Sequence, residues 1–211
     1  MVERRRNSFN VDDYAIGILL SLSPDFEHVR IIHPEKGVLL LSPKRGEYIA
    51  LISDMADFFQ APKASFTVVE VKEKFPTAGV SRRMEDLLWE AALGASQGRL
   101  VNGLRRYDVV QFTRWPDLTR VSLTPNAMRI CALLTRFPSG ITLSCRILKI
   151  DEAEMYSVCS AAKVLGIVNM LYSNKGPDST DETVVAEHER GVSESKSGRF
   201  FGRLLAKLSG I

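Results

Sequence analysis

Between residues 124 and 172 the apolar side chains fall into three short helical stripes in quick succession. Stripes that short can be buried only against one another, and this constrains the chain more than any other feature does. Thr124 and Pro125 mark a start, since the hydroxyl can accept an orphan N–H and proline at the first helical position loses nothing by lacking one. The first helix should run to about Arg136, with Ala127, Ile130, Cys131, Leu134 and Phe137 on one face, and Pro138-Ser139-Gly140 should end it. A second, over about 142–148, should bury some of Leu143, Ile147 and Leu148. Asp151 and Glu154 have capping-box spacing and open a third helix that Gly166 ends. Its inner face reads Met155, Val158, Cys159, Ala162 and Leu165, and Ile167-Val168 leaves as a strand or wing.

Three helices and a strand in this order resemble a winged helix-turn-helix, a fold used both by DNA readers and by protein-interaction modules. In a DNA reader the third helix enters the major groove with its N-terminal end leading. Here that end carries Asp151, Glu152 and Glu154, and Lys163 is the only base on the helix. Phosphate should repel such a helix before a base edge is read. A solvated acidic first turn favouring the helix dipole would account for the same carboxylates with no partner at all. The preferred expectation is that Tyr156, Ser160 and Lys163 point outward as a face for another protein, with DNA as the alternative partner.

The chain ahead of this module reads as α+β. A polar arm with three arginines fills residues 1–10, and a helix is expected over 12–22. Three apolar runs (29–33, 38–41, 47–52) are separated by Pro34-Glu35-Lys36-Gly37 and Pro43-Lys44-Arg45-Gly46, which predicts an antiparallel β-meander. A helix over 53–60 capped by Ser53, a strand over 65–71, a helix over 81–94 and a strand over 107–112 should follow. Trp89 reads as a packing residue, and Trp115 as a residue at the seam between the two halves. The expected division is an α+β domain over 1–114 and a trihelical winged-helix-like module over 115–172.

Composition changes after that. Residues 173–198 hold six acids, three bases and few apolar residues, so a flexible linker is expected. Residues 199–211 hold three bases and no acid. There Phe201, Leu204, Leu205, Leu208 and Ile211 share one helical face, with Phe200 beside it, and an amphipathic docking helix is expected. Thirteen residues are marginal as an isolated helix in water. Its landing place would be its own body, a partner's groove or, weakly, an anionic membrane surface.

Several chemistries lack their residues. No Gly-x-Ser-x-Gly elbow occurs. Gly94, Gly98 and Gly103 follow a helix and precede no Lys-Ser/Thr, so they do not make a phosphate loop. His28 and His33 are expected at the surface and His188 in the linker. Cys131, Cys145 and Cys159, one per proposed helix, read as small buried residues in a reducing compartment, with no metal or other cofactor expected. The function expected from all this is non-catalytic: a cytoplasmic adaptor or regulatory signalling protein that binds another protein through the helical module and the terminal helix. A winged-helix transcriptional regulator and a small-ligand sensor are the alternatives.

Overall fold

The computed structural model describes residues 8–72 and 81–172. A short strand β1 (Ser8–Phe9) and helix α1 (Ala15–Ser21) precede the meander of β2 (Val29–His33), β3 (Gly37–Ser42) and β4 (Glu47–Ile52). Both turns form where proline and glycine set them. Gly37 has φ +115°, and a side chain there would meet the Leu51 carbonyl oxygen at 2.2 Å, while Gly46 closes a 3-10 turn at φ +67°. Helix α2 (Met55–Gln60) follows, capped by Asp54 rather than Ser53, because the Asp54 carboxylate accepts from Asp57 N–H. Strand β5 (Thr67–Glu70) then pairs with β2, and β6 (Arg82–Arg83) pairs with β4, completing an antiparallel sheet in the order β5-β2-β3-β4-β6.

One face of this sheet is the core face. Val29, Ile31, Leu39, Leu41 and Tyr48 alternate inward and are buried. They join one apolar cluster with Phe58 and Phe59 of α2 and with α3 (Met84–Ser96). Gly94 lets α3 lie close on α2, since a Cβ there would meet the Phe59 Cβ at 2.9 Å. His33 is buried, contrary to the surface position expected for it. Its Nδ1 accepts from the Glu35 and Lys36 N–H groups, each at 3.2 Å, and its ring meets Phe58 and Phe66. Of the two tryptophans, Trp89 packs as expected and Trp115 does not fill a seam. Trp89 is buried and donates to the Ser122 carbonyl, whereas Trp115 is exposed.

Strand β7 (Leu100–Val101) pairs in parallel with β1, and β8 (Val109–Phe112) follows. Then come α4 (Ala127–Arg136), β9 (Ser139–Gly140), α5 (Ile141–Leu148), α6 (Glu152–Val164) and β10 (Val168–Tyr172). The three helices lie within two residues of the predicted bounds, as their stripes require. Their sheet has the order β10-β8-β9, so its middle strand comes from the chain before the helices. The described residues belong to one compact unit, and residues from 173 onward lie outside the described residues. The expected linker and the docking residues Phe200, Phe201, Leu204, Leu205 and Leu208 fall there. Among the described residues no helix is long and apolar enough to cross a membrane. The architecture is mixed α+β with an antiparallel sheet.

Candidate functional site

Helix α6 was expected to present one side to solvent, and it does not. Ser160 is wholly buried and Tyr156 is 6% exposed, so the outward face of Tyr156, Ser160 and Lys163 does not form. The side opposite the module's own core packs on α3 and β7. The reason lies in two hydroxyls. Ser160 Oγ accepts from Val101 N–H at 2.8 Å and donates to the Arg99 carbonyl at 3.2 Å, and Ser157 Oγ accepts from Gly98 N–H at 3.2 Å. Small polar side chains here satisfy the backbone of the turn between α3 and β7, which would otherwise be buried without partners. Gly98 makes the approach possible: its φ is +78°, and a Cβ would meet the Ala153 Cβ at 2.7 Å. Lys163, half-buried, reaches the Met170 sulfur at 3.9 Å.

The acidic end of α6 is also committed internally. Asp151 caps its own helix by accepting from Ala153 N–H at 3.1 Å. Glu152 accepts from the Tyr156 hydroxyl at 2.8 Å and lies 3.7 Å from the Arg106 guanidinium. Burial and that bond push the Tyr156 phenol well above its ordinary range. Glu154 reaches across to α4, accepting from the Asn126 N–H at 2.6 Å and from its side-chain amide at 2.8 Å. Partial burial acts to raise the Glu154 carboxyl, but the bonds from Asn126, helped by Thr124 and the Arg129 charge, prevail and hold it below the usual range. Arg129 extends the chain of contacts, donating to Asn126 Oδ1 at 2.7 Å and to the Leu148 carbonyl at 2.8 Å. The N-termini of α6 and α4 and the C-terminus of α5 are thereby tied together. The carboxylates expected to repel phosphate are mainly fastenings.

The exposed helical surface belongs instead to α4 and α5. Met128 is 60% and Leu143 44% exposed, so of the three residues offered for burial on the second helix Ile147 and Leu148 are the partly buried ones. In α5 it is Ile141, Thr142, Ser144 and Cys145 that are buried, which rotates the stripe away from Leu143. Arg129, Arg136, Arg146 and Lys149, within or at the end of the same two helices, are also exposed. A count of charge by segment would have found the surface, because residues 118–150 contain five bases and no acid.

Cys131, Cys145 and Cys159 are free and buried as expected. Desolvation raises the Cys131 thiol to about 12 and, with Glu152 nearby, the Cys145 thiol to about 11, and Cys159 is raised too. Nucleophilic use requires thiolate, which this environment suppresses. Among the described residues no group of histidines, cysteines and carboxylates is arranged to hold a metal ion. Gly94 and Gly98 are accounted for by close packing, and Gly103 by its φ of +89°. Comparison with known protein families, with curated proteins and with solved structures finds no match to this chain.

Proposed function

We propose that this chain is a non-catalytic adaptor or regulatory protein of the cytoplasm that works by binding another protein, using a winged-helix-like module as one contact and its C-terminal segment as another. The order α4, β9, α5, α6, β10 is helix, strand, helix, helix, strand, in keeping with a winged helix in which β8 supplies the third strand. The observation that carries the reading is the burial of α6 on both sides. A base-reading helix must be free to enter a groove, and α6 is wedged between its own module and α3. What the module leaves exposed, on α4 and α5, mixes apolar and cationic side chains in the manner of a protein interface. In this reading Phe200, Phe201, Leu204, Leu205 and Leu208 form the apolar side of the second contact.

The test is co-purification of the intact tagged chain from cytoplasmic extract, beside a duplex mobility-shift titration at two salt concentrations. A polypeptide retained in stoichiometric amount, and lost when residues 199–211 are deleted, is the expected result. A salt-dependent duplex shift at submicromolar protein with no retained polypeptide would favour the DNA-binding regulator instead.

A further inference from the structure

We infer that the outward side of α4 and α5 is a docking surface for an acidic polypeptide segment, one with carboxylates flanking a large apolar side chain. The inference deepens the protein-binding reading above and rests on it. Its first support is an excess of positive charge, five bases and no acid over residues 118–150. Arg129, Arg136, Arg146 and Lys149 are exposed, and none makes an ion pair with a carboxylate among the described residues. The Arg129 guanidinium is held in place by an amide oxygen and a backbone carbonyl, and its charge also acts on the Glu154 carboxylate. Arg136 lies over the Phe137 ring, 5.7 Å from its centroid. Of the α6 carboxylates, Asp151 caps its helix, Glu152 serves Arg106 and Tyr156, and Glu154 accepts from Asn126 within reach of the Arg129 charge.

The second support is what lies among the charges. On α4, Met128, Ala132 and Arg136 share a face at four-residue intervals, and on α5 Leu143 and Arg146 are neighbours one turn apart. A phosphate backbone offers Met128 and Leu143 nothing to bury against. Methionine and arginine together are enriched where proteins meet. Carboxylates of a partner would be steered in by the four cations, while its apolar residue covers Leu143 or Met128.

Fluorescence anisotropy with the full chain tests this. The probe is a fluorescein-labelled peptide of repeated Glu-Glu-Leu-Glu; the controls are the same peptide with Gln for Glu, a labelled DNA duplex, and vesicles containing phosphatidylserine. Binding of the acidic peptide that weakens with salt, with at least about tenfold loss in the double variant Arg146→Glu, Lys149→Glu, is expected. The neutralised pair Arg146→Gln, Lys149→Gln should lose less, in the same direction, and both variants should keep the parent's unfolding midpoint. Equal binding of the Gln peptide, indifference to both double variants, no binding, or tighter binding of duplex or vesicle would each overturn the proposal. A polypeptide retained on co-purification alongside any of these results would sink the chemistry assigned to this surface and leave the protein-binding reading standing.

Discussion

Helices α5 and α6 are neighbours along the chain, and each carries at least one serine, one cysteine and one or more charges, yet they have opposite fates. α6 is buried on nearly all sides, its serines bonded to the backbone of a distant turn and its carboxylates to α4 and to its own tyrosine. α5 buries one side only and leaves Leu143 and Arg146 in solvent. The difference teaches that a polar side chain on a helix marks where a hydrogen-bonding partner is, and the partner is not always water. Serine fits a buried interface well, because its one hydroxyl is readily satisfied by backbone.

The sharpest way to break the comparison is to put the same charge on both helices. Ser160→Arg should destabilise the fold by about 3–5 kcal/mol, the cost of an unpaired buried charge. Leu143→Arg should change stability by less than about 1 kcal/mol. Urea denaturation of the two variants measures this, and similar losses in both would mean that α6 is not packed as described. The next largest effect concerns the turn that α6 clasps. Gly98→Ala should cost about 2 kcal/mol or more, from the left-handed backbone and the clash with Ala153 together. Gly103→Ala shares the positive φ but has no atom within 4 Å, so about 1 kcal/mol is expected. Equal losses would remove the close approach from the explanation.

A smaller, pH-dependent effect tests the fastening of α6 to α4. The Glu154 carboxyl is held below its ordinary range in the folded chain, so its contribution is present above the unfolded pKa and is lost as pH falls through the depressed folded value. Glu154→Gln should therefore be less stable than the parent by about 1 kcal/mol near neutrality. The gap should close on acidification below about pH 4. A gap unchanged across that range would show that the carboxylate's charge is not what Asn126 recognises. The smallest effect is expected from a thiol reagent at about pH 8, where the raised thiols of Cys131, Cys145 and Cys159 should not react until the chain is unfolded. Rapid labelling of the native chain would mean that the core between α4, α5 and α6 opens.

Much of the architecture was legible because local chemistry specified it. The proline and glycine of each meander turn, the stripe of α4 and the Asp151 cap act within a few residues, and their elements formed close to the expected positions. The candidate site was not legible in the same way. Tyr156 and Ser160 looked outward because the module's own core occupies only one side of α6, and nothing in residues 124–172 announces that α3 will cover the other. His33 looked like a surface residue until Phe58 and Phe66 closed over it. The cations of α4 and α5 were visible one by one, but their exposure depends on which way α5 rolls about its axis.

By itself the sequence determined the places of the meander strands and of α4, α5 and α6, and that the trihelical stripes must bury one another, because periodicity and capping act between residues close along the chain. Only the tertiary structure decided which polar groups are inside. Burial is a property of the second neighbour, and the partner that covers α6 lies more than fifty residues away, joined to it through Ser157, Ser160 and Gly98.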